Sequence, residues 1–128
     1  MSKQFSDLGI SAPILKAITE LGIVVPTEIQ QKTIPLLLSN TTDLVGLAKT
    51  GTGKTAAFAI PIIQLLANET INTNRRKIRS LILTPTRELA IQIDESFKAY
   101  GKYTQLATTV VFGGVGQKPQ TDRHKKGV

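Results

Sequence analysis

The run Ala48-Lys49-Thr50-Gly51-Thr52-Gly53-Lys54-Thr55 holds the densest chemistry in the chain. Gly51 and Gly53 allow a tight turn in which several backbone N–H groups converge on one anion. A helix opening at Lys54 would add the positive end of its dipole to that field. Lys54 can reach the β- and γ-phosphates of a nucleotide, and the Thr55 hydroxyl can ligate Mg²⁺. Lys54 and Thr55 are therefore the candidate catalytic residues, and Ala48 to Thr55 the candidate phosphate cradle. Ala48 stands where the pattern G-x-x-x-x-G-K-[ST] opens on glycine, and it is small enough for the same turn. The structural alternative is a Gly-rich connection with an ordinary surface lysine.

A second set lies upstream, in Pro26-Thr27-Glu28-Ile29-Gln30. A glutamine carboxamide can accept from the adenine N6 amino group and donate to N7, a fork that guanine mismatches. Phe5 offers a flat apolar face for a base, or equally a core anchor. Thr27-x-x-Gln30 is also a capping box, with Gln30 turned back to the Thr27 amide. Both readings of Gln30 stand at this point.

These residues need elements to hold them. Ile14, Leu15, Ile18 and Leu21 recur at helical spacing, which predicts a helix over 13–21 with Ser11 as its N-cap. A second helix is expected from Thr27 to about Leu38, with a kink or break near Pro35. Residues 43–48, 80–84 and 108–112 read as short buried strands. Helices are expected from Lys54 to Ala67 and from Arg87 to Tyr100. Two helices followed by strand, helix, strand, helix, strand predict an α/β domain. Its parallel sheet would carry helices on both faces and bind ligand at the strand ends.

Composition narrows the classes. The 128 residues are 41% hydrophobic and 20% charged, a globular balance. Absence of cysteine excludes a disulfide framework and cysteine metal sites, and a single histidine, His124, argues against a histidine metal site. Charged residues interrupt the first twenty positions, so no signal-peptide core is present and a cytoplasmic location is expected, with no membrane partner. Sixteen basic against nine acidic residues give a net charge of +7. Residues 1–63 contribute five minus four, or +1, and residues 64–128 eleven minus five, or +6. That asymmetry suits a polyanionic partner, or else a solubilising face.

Two further loops complete the pattern. Pro85-Thr86-Arg87-Glu88-Leu89-Ala90 follows an expected strand and opens a helix, and Gly113-Gly114 follows the last expected strand. The first is either a phosphate-holding helix start or a plain one capped by Thr86. Taken in order, four segments resemble the motifs of the DEAD-box RNA helicases. Phe5, Gly22-Ile23, Pro26-Thr27 and Ile29-Gln30 look like the Q motif, although Ile23 stands where an aromatic residue is common. Ala48 to Thr55 look like motif I, and Pro85 to Ala90 match motif Ia letter for letter. Gly113-Gly114 fall where the glycine doublet is found.

The resemblance implies a RecA-like P-loop fold, with residues 1–42 as the Q-motif region and 43–128 carrying the loops. It implies that Gln30 reads adenine, that Phe5 stacks on it, and that Ala48 to Thr55 hold the phosphates of Mg·ATP. It also implies that Pro85, Thr86, Arg87, Glu88, Gly113 and Gly114 bind RNA, single-stranded or duplex, independently of sequence. The sequence contains no D-E-A-D run and no S-A-T motif. The expectation is therefore the ATP-binding part of an RNA helicase, incomplete at its C-terminus. Alone it would bind nucleotide and RNA weakly, without turnover, and would aggregate through open sheet edges. Other readings are a different P-loop enzyme, a non-catalytic RNA-binding module, or a DNA-directed helicase.

Overall fold

The computed structural model describes residues 3–39, 43–49, 51, 53–68 and 78–111. Their regular elements are a 3₁₀ turn, Phe5–Leu8, and four helices. These are α1 (Ala12–Glu20), α2 (Glu28–Leu38), α3 (Lys54–Asn68) and α4 (Arg87–Tyr100). All four expected helices are present, with ends within a residue or so of the expected bounds. Their periodicity explains why. Ile14 and Ile18 on α1, Ile60 and Ile63 on α3, and Ile93 and Phe97 on α4 repeat at three or four residues. They meet Ile34 of α2 and Phe5, Leu8 and Ile10 in one apolar core.

Helix α3 is the central element, packed against both α2 and α4, while α1 rests on α4 and the 3₁₀ turn rests on α2. The rings of Phe58 and Phe97 join α3 to α4 at 6.3 Å between centroids. Pro35 does not break α2. Proline removes one backbone donor, but α2 ends at Leu38, soon after the lost bond, and Ser39 N–H closes the last turn on the Pro35 carbonyl at 3.2 Å. Pro61 is likewise accommodated inside α3, buried in the core.

The expected strands differ. No strand is assigned among the described residues, and Val45, Leu47, Leu81 and Leu83 are 79–89% exposed. An apolar run becomes a strand only when a neighbour supplies ladder partners at the right spacing. Segments 43–49, 78–84 and 105–111 have none among the described residues. Residue 112 and those following it lie outside the described residues.

Surface chemistry ties α1 to the turn after α4. The Glu20 carboxylate accepts from the Tyr103 hydroxyl and pairs with Lys102 Nζ at 3.3 Å. Lys16 Nζ lies 4.3 Å from the Tyr103 ring centroid. The Tyr103 hydrogen bond holds the Glu20 carboxyl below its ordinary range, with Lys102 and Lys16 adding to it against the opposing effect of desolvation. A lowered carboxyl supports the fold above its ordinary pKa and loses that support as pH falls through the lowered value. Tyr103→Phe is therefore expected to raise the Glu20 pKa toward the ordinary value, checked by carboxyl NMR titration. An unchanged Glu20 titration would contradict this contact.

Candidate functional site

The site is assembled where α2 meets the turn into α3. Thr27 caps α2: its hydroxyl accepts from Gln30 N–H at 3.4 Å, and Gln30 Oε1 accepts from Thr27 N–H at 3.0 Å. The expected capping box is thus formed. The same carboxamide makes a further bond across the structure: Gln30 Nε2 donates to the Gly53 carbonyl at 3.2 Å. Gln30 is 5% exposed. A buried primary amide has two donors and two acceptor sites. The cap and Gly53 use one of each, leaving one donor and one acceptor.

The turn itself has the backbone that its glycines allow. Gly51 and Gly53 have φ of +84° and +83°, a region that L side chains rarely enter. At Gly53 the constraint is double, because an added Cβ would lie 2.3 Å from Gln30 Nε2 and 3.2 Å from Thr27 Oγ1. At Gly51 an added Cβ meets nothing within 4 Å. Gly53 also supplies the carbonyl that accepts the first bond of α3, from Ala57 N–H at 3.2 Å. Lys54 and Thr55 occupy the first turn of α3, Lys54 exposed and Thr55 half-buried. Here the uncommitted N–H groups of a helix start point outward along its axis. Ala48 is half-buried and Lys49 exposed. Thr50 and Thr52 lie outside the described residues.

The structure places Phe5 in the apolar core, 5% exposed. That is the core-anchor placement, and it leaves the ring little surface for a base. At the start of α4, Thr86 caps the helix by accepting from Leu89 N–H at 3.2 Å. Its carbonyl accepts from the Thr84 hydroxyl at 2.9 Å. Pro85, Thr86, Arg87 and Glu88 are all exposed, so the plain helix start is formed and its outer face is open. Gly113 and Gly114 lie outside the described residues.

Gln64 is the functional-looking residue that sequence reasoning passed over. It sits on α3, 8% exposed, with Oε1 accepting from Ser11 N–H at 2.7 Å and Nε2 donating to the Gly9 carbonyl at 2.8 Å. The available signal was its polarity within the apolar stretch from Thr55 to Asn68. A buried amide there must find partners.

Comparison with known proteins places the chain in a family. The sequence profile described as DEAD/DEAH box helicase matches residues 27–128. The chain is 44% identical over 122 residues to the DEAD-box ATP-dependent RNA helicase RhpA of Helicobacter pylori, covering 95% of this chain and 23% of that protein. It is 45% identical over 120 residues to the ATP-dependent rRNA helicase rrp3 of Sclerotinia sclerotiorum, covering 94% and 24%. The chain thus spans about a quarter of the length of the curated relatives it matches. Among solved structures it resembles the RNA helicase Prp28 from Chaetomium thermophilum bound to ADP, with a TM-score of 0.86 and 30% identity, over 98% of this chain and 30% of that one. A hypothetical ATP-dependent RNA helicase from Sulfolobus tokodaii gives a TM-score of 0.78 and 40% identity, over 91% and 31%. The expected α/β, RecA-like class is the class of these helicase domains. Profile, relatives and structures agree on one assignment: the chain belongs to the DEAD/DEAH box helicase family.

Proposed function

We propose that this chain is the ATP-binding part of an ATP-dependent RNA helicase and that it binds Mg·ATP at the junction of α2 and α3. The observation that carries the reading is the Gln30 carboxamide, which joins the α2 cap to the Gly53 carbonyl. One hydrogen-bonding fork thereby touches the base-reading segment and the phosphate-holding turn at once. Its unused donor and acceptor are the pair that adenine N7 and N6 require.

The residues present fit a triphosphate. Two positive-φ glycines, an exposed lysine in the first turn of α3 and the helix start supply donors and positive charge, and that first turn carries no acidic residue. Within the first turn, Lys54 would neutralise the β- and γ-phosphates, and Thr55 would offer one oxygen to Mg²⁺, which takes its other ligands from phosphates and water. Bound there, Mg·ATP supplies the phosphoryl group whose transfer drives helicase cycles.

RNA is the second partner we propose. The exposed start of α4, Pro85 to Glu88, offers a helix N-terminus with Arg87 beside it. Such groups hold phosphates without reading bases, so contact there would be independent of sequence and weakened by salt. The names of the relatives, which specify RNA, favour this over a DNA-directed enzyme. Among the described residues no helix is long and apolar enough to cross a membrane, and we propose a cytoplasmic protein whose work involves no membrane.

Nucleotide choice tests the reading. The chain is expected to bind Mg·ATP more tightly than Mg·GTP, and Gln30→Ala is expected to lower ATP affinity about tenfold, the scale of one lost buried hydrogen bond, and to level the two nucleotides. Isothermal titration with each nucleotide checks this. Equal affinities in the unsubstituted chain would overturn the assignment of Gln30 to adenine.

A further inference from the structure

Helix α4 carries two stripes of side chains with different surroundings. Ile93 and Phe97 lie in the core. Beside them Gln92, Glu95, Ser96 and Ala99 follow the same spacing of three or four, but Gln92 and Glu95 are exposed and Ser96 and Ala99 half-buried. Together with Leu21 and Ile23, from the connection between α1 and α2, this second stripe lines a groove of about 470 Å³. From Gln92 to Ala99 it runs about 10 Å along the axis of α4, or about two helical turns.

The groove sets one charge beside apolar surface. Leu21 is 49% exposed, and Val24 and Val25, further along the same connection, are 78% and 57% exposed. Ser96 and Ala99 are small, which leaves room for a second helix to approach α4 closely. The Ser96 hydroxyl is turned back on its own helix, donating to the Gln92 carbonyl at 3.0 Å. Glu95 is the one charged residue in the lining. Among the described residues it forms no ion pair. The nearby carboxylates are committed elsewhere: Asp94 pairs with Lys98 at 2.7 Å and accepts from the Thr108 hydroxyl, and Glu20 pairs with Lys102 at 3.3 Å.

We propose that this groove docks a basic amphipathic helix of a partner protein. Its apolar side chains cover Leu21, Ile23 and Ala99, and a lysine or arginine of the same helix pairs with Glu95. A cation on an apolar stem satisfies both halves of the groove at once, whereas the phosphates of a nucleic acid are repelled by the carboxylate. On a chain of net charge +7 the overall field opposes a basic segment. What seats it is therefore local: the Glu95 carboxylate and the apolar surface beside it. No lining residue belongs to the junction of α2 and α3 or to the start of α4, so docking leaves both free.

The probe is a synthetic helical peptide with leucine at positions i, i+4 and i+7 and lysines flanking them, titrated into the isotope-labelled full chain. The amide resonances of Leu21 to Ile23 and Gln92 to Tyr100 are expected to shift together and saturate, while Gly51 and Gly53 stay in place. Glu95→Gln keeps the size of the side chain and removes its charge. It is expected to weaken the peptide about tenfold, the scale of one hydrogen bond to a charged group. Leu21→Ser is expected to cost about as much through lost apolar contact. Neither variant should change Mg·ATP affinity or thermal stability, and a peptide with glutamate in place of lysine should not bind.

Failure of the lysine peptide to bind, or binding that Glu95→Gln leaves unchanged, overturns the proposal. Shifts confined to other residues do the same. Should Leu21→Ser fail to fold, Glu95→Gln decides alone. If the chain by itself sediments as a dimer and Glu95→Lys returns it to a monomer, the occupant is a second copy and the partner is overturned. If single-stranded RNA displaces the peptide from these same amides, the groove serves nucleic acid and the proposal is again overturned.

Discussion

Gly53→Ala is expected to destabilise the chain by about 2–4 kcal/mol, combining about 1–2 kcal/mol for a non-glycine residue at positive φ with the loss of one or two buried hydrogen bonds. The φ of +83° is the first cost. The second comes from Gln30, whose Nε2 would lie 2.3 Å from the new Cβ. A free side-chain end would swing away cheaply, but Gln30 is held on both sides. Moving it breaks the bond to the Gly53 carbonyl and strains the Thr27 cap. Gly51→Ala is the matched control. Its φ is almost the same, yet nothing lies within 4 Å of the added methyl. Its expected loss is the backbone cost alone, about 1–2 kcal/mol. Urea unfolding of the two variants checks the contrast. Equal losses would mean that the Gln30 contact contributes nothing.

Lys54→Ala is expected to divide binding from folding. The side chain is exposed on the first turn of α3 and takes no part in the core. Surface substitutions of this kind change stability by about 0.5 kcal/mol or less. A hydrogen bond to a charged partner contributes about 1.5–3 kcal/mol, so ATP affinity should fall about tenfold to a hundredfold. Thermal unfolding and nucleotide titration on the same sample give the comparison. Unchanged ATP affinity would remove the lysine from the site. A fall in both stability and affinity would mean that Lys54 has a structural part as well.

What the sequence made legible follows from the range of each interaction. Helix α4 lies at about its expected bounds, because Thr86 and Glu88 are local signals acting within a few positions. The capping box at Thr27 and Gln30 was legible for the same reason. Its third partner was not. The bond from Gln30 to Gly53 spans twenty-three positions, and no local pattern encodes it. The cap is formed, and beyond it and Gly53 the carboxamide keeps one donor and one acceptor.

The expected strands illustrate the opposite limit. Leu81-Ile82-Leu83 has strand composition, but a ladder is a property of two segments, and composition describes one. The 3₁₀ turn at Phe5–Leu8 is too short to show a period. Gln64 was hidden by its surroundings: an apolar stretch reads as core, and its bonds to Gly9 and Ser11 lie more than fifty positions away in sequence. At the start of α4 the cap was legible and is present, while its exposed outer face gives Arg87 room for the phosphate contact proposed above.

Amide NMR during titration with Mg·ATP tests the central claim most directly. If the turn into α3 grips a triphosphate, the Gly51, Gly53, Lys54 and Thr55 amide resonances shift and saturate together, with Gln30 following and the α1 amides Lys16 to Glu20 staying in place. A folded sample whose turn amides hold their positions through saturating nucleotide would contradict the account.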